Sequence, residues 1–310
     1  MARSKRKNNK LIIIFTLLFI IVGAISFSYY NLAKYHDNSK IIKELQLKLH
    51  NETEKQNNSN VENKDLEDKV NLLKNIDEET NKLKQEVFKL AGNLEQDIVN
   101  KKSTKKIAYL TFDDGPYYLT HKFLDVLNKY KVKATFFTIG SDKKKCYDNR
   151  SKECYPVYKK IVDNGHTIAN HTYSHAIWKG LYKSTNNFIN QVKKQENLIK
   201  EQTGVITNIL RFPGGSSTAG KLKNSIIKEL RKNNYGWVDW TSQNGDGGSI
   251  KSKDQALTNF KKTINENIEV VLFHDYNYIT LSMLPDAIKY LENKGYILLP
   301  LFYESVMINK

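Results

Sequence analysis

The sequence predicts an α/β protein with parallel strands, preceded by an apolar N-terminal segment and a helical stalk. After residue 104, short β-rich apolar runs alternate with segments of helical spacing. Residues 11–30 contain no charged side chain, and residues 31–103 are polar with thinly spaced apolar positions. Repeated βα units imply parallel strands, because each helix returns the chain to start the next strand in the same direction, and they are compatible with a barrel.

Composition excludes several classes of protein. With 40% hydrophobic residues, 15 Gly and 5 Pro in 310 residues, the chain is neither collagen-like nor wholly disordered, and two cysteines exclude a disulfide-dense small protein. The net charge is +16. The basic residues of the α/β region are scattered over several predicted helices without a zinc-finger or basic-zipper pattern. We therefore expect an anionic cell-wall polymer as partner, and no nucleic acid.

The N-terminus predicts a membrane anchor. Residues 1–10 form a basic tail, and residues 11–30 are long enough to span about 30 Å of hydrocarbon. A basic flank stays in the cytoplasm, so the rest of this single-pass chain is expected outside the cell. The alternative is a cleaved signal peptide ending near the small residues of Ala24-Ile25-Ser26, which would make the protein secreted.

Residues 31–103 predict a helical, coiled-coil-like stalk. Apolar positions recur at alternating steps of four and three, and the polar run at 51–60 interrupts any earlier helix. The seam consists of Ile76, Thr80, Leu83, Val87, Leu90 and Leu94. Two interpretations stay open: the stalk is a solvated spacer that lifts the next domain off the membrane, or it is a rod through which two chains dimerise.

Residues 104–310, which follow the stalk, form the predicted α/β domain, and seven strands are predicted in it. They are 107–112, 133–139, 166–170, 209–212, 235–240, 268–274 and 296–301. Helix-spaced segments, such as 123–130 and 188–200, separate most of them. In folds of parallel strands, chemistry gathers where the strands end and the loops begin. The polar clusters of this sequence fall at those ends.

Two of these clusters are typical of a metal site. The first strand ends in Asp113 and Asp114 before a Gly-Pro turn, so one carboxylate can bind a cation while the other acts as a base. The third strand runs into His171 and His175, a spacing that places both imidazoles on one face of a turn. Two histidines and one carboxylate leave coordination positions open to water. Taken singly, each motif is also common as an ordinary turn or loop.

Later strand ends add further polar groups. Arg211 follows the fourth strand, where its guanidinium can clamp a carboxylate, and the bare backbone of Gly214 can approach a ligand. Asp239 ends the fifth strand and His274 the sixth, so Asp239 is predicted to hold and tune His274 as a proton donor. The GDGGS run at 245–249 is interpreted as a loop at the rim.

Five motifs together resemble a known family. TFDDGP, NHTYSH, RFPGG, the Asp-Trp of YGWVDW and VLFHD occur in the order found in the polysaccharide deacetylases of carbohydrate esterase family 4, the NodB-like domain. The resemblance covers about residues 104–305. It implies a distorted (β/α)7 barrel and metal-dependent hydrolysis of N-acetyl groups on polymers of β-linked N-acetylhexosamines.

The resemblance also implies roles for the matching residues. Asp114, His171 and His175 would hold a divalent cation, for which we expect Zn²⁺, with Co²⁺, Ni²⁺ and Mn²⁺ as alternatives. Asp113 would be the base, oriented by Arg211. In the second half of the site, His274 would be the acid tuned by Asp239, and the backbone N–H of Gly214 would stabilise the oxyanion.

One departure from the family lies beside Pro213. Many relatives carry an aromatic residue after this proline, whereas this chain has Gly214, so a face for stacking a sugar is lost. Trp240, Tyr117 or Trp178 can replace it. Cys146 and Cys154 lie in the loop after the second strand, and an extracellular location favours a local disulfide between them.

The expected function is deacetylation of N-acetylglucosamine in peptidoglycan, the polymer immediately outside the membrane. The resulting amines would add positive charge to the wall and weaken its recognition by muramidases such as lysozyme. Alternatives are deacetylation of a chitin-like polymer or of xylan, and a non-catalytic cell-wall scaffold. The intact carboxylates and histidines of the motifs argue against the scaffold.

Overall fold

The structure, a computed structural model, describes residues 62–140 and 151–310. The chain divides into two compact units, Met1–Lys89 and Leu90–Lys310. The basic tail, the apolar segment at 11–30 and the first part of the predicted stalk, residues 31–61, lie outside the described residues. Within the described ranges, no helix has both the length and the apolar character needed to cross a bilayer.

Helix α1, Glu62–Val99, is continuous through most of the second half of the predicted stalk. The second compact unit begins at Leu90, inside this helix and upstream of the predicted domain boundary at 104. Ala91, Glu95 and Ile98 are buried in that unit. Their spacing of four and three places them on one helix face. Leu90, a member of the predicted seam, is 50% exposed.

Glu95 ties the end of α1 to two other segments of this unit. Its carboxylate accepts hydrogen bonds from Tyr109 Oη at 2.7 Å, Ser305 Oγ at 2.6 Å and the Val306 N–H at 3.1 Å. Burial raises the pKa of Glu95, although the three donors oppose the rise. The last turns of α1 are therefore part of the folded unit.

Replacing Glu95 is expected to destabilise the protein. Glu95→Ala leaves three donors without their acceptor, which should lower the free energy of unfolding by about 2 kcal/mol. Urea denaturation of the full chain measures this. Leu90→Ala, on the same helix but half exposed, should stay within about 0.5 kcal/mol of the unmodified protein. Equal midpoints for the two variants would contradict the role of Glu95.

Among residues 62–140 and 151–310, eight parallel strands form one curled sheet. They are β1 Lys106–Asp113, β2 Thr135–Thr138, β3 Thr167–Asn170, β4 Ile209–Leu210, β5 Gly236–Trp237, β6 Ser242–Gln243, β7 Ile268–His274 and β8 Tyr296–Leu298. The order is β5-β4-β3-β2-β1-β7-β6, with β8 beside β1. Among the described residues no pairing closes the sheet between β5 and β6, so the predicted barrel takes the form of a curled half-barrel.

In the part of the chain that the structure describes, six further α-helices connect the strands. They are α2 Thr120–Lys129, α3 Ser151–Asp163, α4 Thr185–Thr203, α5 Lys223–Lys232, α6 Lys253–Thr263 and α7 Tyr278–Asn293. All seven predicted strand regions contain a strand. The sequence does not predict β6, because two polar residues offer no apolar pattern to detect.

The central strands are buried on both faces, as expected for a parallel sheet covered by helices. One core cluster is centred on Phe112, whose ring packs on those of Phe123, Phe136 and Phe273 within 5.8 Å. A second cluster includes Phe212. This packing fixes the strands, and their carboxyl ends share one edge because they are parallel. The polar residues at that edge are Asp113, His171, Arg211, Asp239, Asp246 and His274.

Candidate active site

The predicted ligand residues converge at this edge. Asp114, His171 and His175 each offer one ligand atom, and these atoms lie within 4.8 Å of one another. Asp114 Oδ1 lies 3.5 Å from His171 Nε2 and 3.2 Å from His175 Nε2. The backbone φ is positive at Asp114 (72°), Thr172 (63°) and His175 (48°). Such conformations cost energy in residues other than glycine, and they cluster at functional sites.

The state of His171 suits a cation ligand. Its Nδ1 lies 2.8 Å from the carbonyl oxygen of Arg211. The ring proton therefore sits on Nδ1, and the Nε2 lone pair faces Asp114. Burial lowers the pKa of His171 to about 4, although the charge of Asp114 opposes this. A neutral imidazole is the form that binds a cation.

The donor set fits a divalent cation with open coordination positions. Two imidazole nitrogens and one carboxylate oxygen are three protein ligands, whereas closed structural zinc sites use four. The backbone carbonyl behind His171 supplies the outer hydrogen bond that holds a ligating histidine in place. The residues present thus fit the cation that the motifs imply.

The predicted contact between Arg211 and Asp113 is present. Asp113 is 3% exposed, and Arg211 Nη1 donates to its Oδ1 at 2.9 Å. Its Oδ2 lies 3.7 Å from His171 Nε2. Burial raises the pKa of Asp113, and the guanidinium of Arg211 only partly offsets the rise. The arginine therefore orients the carboxylate, while burial makes it a stronger base than an exposed aspartate.

Arg211 is itself fully buried and held by several acceptors. Nη1 also donates to Thr111 Oγ1 at 2.6 Å, Nε to the Val238 carbonyl at 3.2 Å and Nη2 to the Asp239 carbonyl at 3.1 Å. The guanidinium carbon lies 4.2 Å from the ring centroid of Phe137. One side chain thus connects the carboxyl ends of β1, β2 and β4 with the segment that follows β5.

The predicted partner of His274 is wrong. His274 Nδ1 lies 2.7 Å from Asp246 Oδ1, and the His274 N–H donates to Asp246 Oδ2 at 2.9 Å. Burial lowers the pKa of His274, but the hydrogen bond and charge of Asp246 outweigh it and raise the pKa to about 9. His274 is therefore protonated at neutral pH, which is the state that a proton donor needs.

Asp246 is the partner of His274 that the sequence interpretation misses. It lies in the GDGGS run interpreted as rim, yet it is 3% exposed. Thr280 Oγ1 donates to its Oδ2 at 2.6 Å, and its own N–H donates to Asn244 Oδ1 at 3.1 Å. The available signal was a carboxylate shortly after a strand, but β6 is too short to be recognised.

Asp239 instead holds the glycine turn of the third motif. Its Oδ1 accepts from the Ser216 N–H at 2.8 Å and its Oδ2 from Ser216 Oγ at 2.5 Å. Gly214 and Gly215 have φ of 75° and 85°, a region in which other residues are strained. A Cβ on Gly215 would lie 3.2 Å from the Trp240 ring. The oxyanion role of Gly214 stays a prediction. The turn that carries this glycine is held by the Asp239–Ser216 hydrogen bonds and packs against the Trp240 ring.

The aromatic residues predicted as sugar platforms differ in environment. Tyr117 is 8% exposed, and its ring packs on that of Tyr276, which in turn packs on His274. Trp240 is half-buried against the glycine turn. Trp178 is 94% exposed. The ring of Tyr276 lies 5.1 Å from that of His274, and the sequence interpretation does not include this aromatic residue.

Of the two cysteines, Cys154 lies among the described residues. Cys154 is buried on α3, and the structure records no free cysteine among its described residues. Cys146 lies outside the described residues. The disulfide between them stays a prediction.

The half-barrel and the convergent site define the class of protein, and comparisons with known proteins agree. The model of the family described as polysaccharide deacetylase matches residues 100–235. A peptidoglycan-N-acetylglucosamine deacetylase of Bacillus cereus is 30% identical over 62% of this chain and 68% of its own length. The chain belongs to the polysaccharide deacetylase family, whose deacetylases are hydrolases of acetylated polysaccharides.

Other similar proteins have the same extent of match. YheN of Bacillus subtilis (strain 168) is 31% identical over 62% of this chain and 65% of its own length. A chitin deacetylase of Pestalotiopsis sp. is 31% identical over 60% of this chain and 59% of its own length. The chain thus spans about two thirds or less of these relatives.

A solved structure supports the fold. The catalytic domain of a peptidoglycan N-acetylglucosamine deacetylase from Eubacterium rectale is 31% identical, with a TM-score of 0.60. The match covers 66% of this chain and 93% of that domain. The predicted family is therefore confirmed, and the predicted distorted (β/α)7 barrel is confirmed in part, as a curled half-barrel of parallel strands.

Proposed function

We propose that this protein is a metal-dependent N-deacetylase that acts on N-acetylglucosamine in peptidoglycan. The observation that carries the proposal is the convergence of three kinds of group at one sheet edge: a three-ligand cluster, a buried aspartate paired with an arginine, and a histidine whose pKa is raised. Two of the similar proteins are described as peptidoglycan N-acetylglucosamine deacetylases, which supports this substrate.

In this proposal, Asp114, His171 and His175 hold the divalent cation, and the two imidazole ligands favour Zn²⁺. A cation bound there supplies a Lewis acid that polarises the acetamide carbonyl and lowers the pKa of water. Asp113 accepts the proton of the water molecule whose oxygen attacks the carbonyl carbon. Its raised pKa makes it a better acceptor, and Arg211 keeps its carboxylate in position.

The second half of the reaction depends on the opposite side of the site. The tetrahedral oxyanion accepts a hydrogen bond from the Gly214 N–H, on the turn that Asp239 holds. As the carbon–nitrogen bond breaks, His274 donates its proton to the departing amine. The products are acetate and a free amino sugar. Asp113 and His274 perform opposite proton transfers because Asp113 is the carboxylate partner of Arg211 and can take up a proton, whereas the charge of Asp246 keeps His274 protonated.

We also propose a cellular location from the sequence of the N-terminus. The apolar segment at 11–30 anchors the chain, and the basic tail at 1–10 keeps the N-terminus inside. The catalytic unit then faces the peptidoglycan, and residues 31–103 carry it away from the membrane as a spacer or as a dimerising stalk. Deacetylated glycan would carry more positive charge and bind lysozyme less well.

Removal of the cation is expected to abolish activity. Acetate release from purified peptidoglycan by the full chain should fall at least about 100-fold after dialysis against a chelator and return when Zn²⁺ is added. His175→Ala should reproduce the loss, and added Zn²⁺ should not restore it to the unmodified level. Activity that survives chelation with no bound cation would contradict the assigned cluster.

The same assay separates the alternatives for substrate and class. Faster acetate release from chitin oligomers or from acetylated xylan than from peptidoglycan would reassign the substrate within the family. No release from any of the three polymers by protein with Zn²⁺ bound would support the non-catalytic scaffold.

A further inference from the structure

A nearly fully exposed tryptophan follows the second histidine ligand. Trp178 is 94% exposed, while the other large apolar side chains recorded as exposed in the described residues reach at most 64%. A single exposed apolar side chain is ordinary on a protein surface. Two features of the backbone around Trp178 distinguish it: the backbone beneath the indole is rigid, and it lies against the active-site turn.

The rigidity follows from hydrogen bonds at both ends of the segment. Trp178 is the middle residue of a 3₁₀ turn, Ile177–Lys179. The Ile177 N–H donates to the His175 carbonyl at 2.9 Å, so the turn begins on a cluster residue. At its other end, Asn187 Nδ2 donates to the Gly180 carbonyl at 2.9 Å. Because the backbone beneath the indole is held by these bonds, covering the indole with a ligand costs little backbone conformational entropy.

The position follows from two contacts with the third motif. A Cβ on Gly214 would lie 3.2 Å from Ile177 Cδ1, so the turn that carries Trp178 lies against this glycine. A few residues later, Tyr182 Oη donates to the Pro213 carbonyl at 2.8 Å. Trp178 is therefore presented by a segment that is joined both to the ligand cluster and to the predicted oxyanion turn.

The glycine turn itself offers no side chain to a substrate. Gly214 and Gly215 occupy the place beside Pro213, and the ring of Trp240 is packed against Gly215. A polymer that crosses this edge would meet bare backbone where its reacting sugar lies. The segment that contacts this turn through Ile177 carries an exposed aromatic side chain, the indole of Trp178.

We propose that Trp178 is a sugar-binding platform for a β-linked amino-sugar polymer, stacking on a pyranose ring beyond the one that reacts. The inference rests on the proposed deacetylase function. Pyranose rings carry C–H groups on one face, and an aromatic ring packs on such a surface while the hydroxyl groups stay in water. The platform gives a long substrate an additional contact that a small acetyl ester cannot make.

The test compares Trp178→Ala and Trp178→Phe with the unmodified full chain loaded with Zn²⁺. The long substrate is chitopentaose, and the small substrate is 4-nitrophenyl acetate. For Trp178→Ala we expect kcat/KM on the pentamer to fall about tenfold, through a higher KM. The rate on the small ester should be unchanged, and Trp178→Phe should retain most of the activity on the pentamer. Ile206→Ala, which removes another exposed apolar side chain before β4 at the opposite sheet edge, is the matched control.

Binding provides a readout that does not depend on catalysis. Chitopentaose is titrated into the same proteins without added metal, and calorimetry should show affinity about tenfold weaker for Trp178→Ala. If the unmodified protein releases no acetate, the proposed function fails, and this titration still tests the platform. Equal affinity and equal kcat/KM for Trp178→Ala and the unmodified protein would overturn the platform. An equal loss on pentamer and small ester would also overturn it, since that pattern indicates a distorted site.

Discussion

Asp113→Asn is expected to lower the rate of acetate release by about 10²–10⁴-fold while Zn²⁺ remains bound. Asparagine keeps the shape of the side chain and an oxygen that can accept from Arg211 Nη1, which now donates at 2.9 Å. It cannot take a proton from water. Acetate release from peptidoglycan by the full chain, with bound Zn²⁺ measured in the same sample, tests this expectation.

The control for this variant is Asp286→Asn, which neutralises a carboxylate that is 40% exposed and paired with Lys253 on the surface. Its rate should stay within about twofold of the unmodified protein, since surface ion pairs contribute little. Asp113→Asn leaves the buried Arg211 without its counter-charge, so we also expect a lower melting temperature, and the assay belongs below it. A folded, Zn²⁺-loaded variant with the unmodified rate would contradict Asp113 as the base.

Asp246→Asn is expected to move the alkaline limb of the pH–rate profile to lower pH. The reaction needs protonated His274, whose pKa of about 9 predicts activity that is present below pH 9 and lost above it. Without the charge of Asp246, burial remains and lowers the pKa of His274, so the limb should fall to about pH 6.5 or below. At pH 7.5 the variant should therefore lose about tenfold or more in kcat/KM, and retain more activity near pH 6.

The full profile of kcat/KM against pH measures this shift. Asp125→Asn, an exposed aspartate on α2, should leave the alkaline limb in place. Asp239→Asn should also leave it, because Asp239 holds Ser216 and has no recorded hydrogen bond to His274 among the described contacts. An unchanged limb in Asp246→Asn, or a shifted limb in Asp239→Asn, would contradict the partner that the structure assigns to His274.

Each of these experiments tests a different part of the proposed function or of the fold. The chelation assay tests the cluster, and the Asp113 and Asp246 variants test the two proton transfers. The Trp178 variants test recognition of the polymer. Glu95→Ala tests how the last turns of α1 are held within the second compact unit.

Sequence alone determined the strand ends and most of the chemistry there. A carboxylate pair, two histidines four positions apart and an arginine lie where alternating apolar runs stop, and parallel strands bring such ends to one edge. The strand ends predicted that these groups share an edge, but they left open which carboxylate binds a cation. The resemblance to the deacetylase family supplied the pairing of Asp113 with Arg211 and the choice of Asp114 as the partner of His171 and His175.

Only the tertiary structure decided which carboxylate meets His274. Asp239 follows β5, which lies at one end of the sheet order, whereas Asp246 follows β6, the strand that pairs with β7. Strand order depends on how the helices pack on both faces of the sheet. The two polar residues of β6, Ser242 and Gln243, contain no local pattern from which that order could be predicted. The same packing placed the turn of Trp178 against the glycines of the third motif, since that contact joins segments that are distant in the chain.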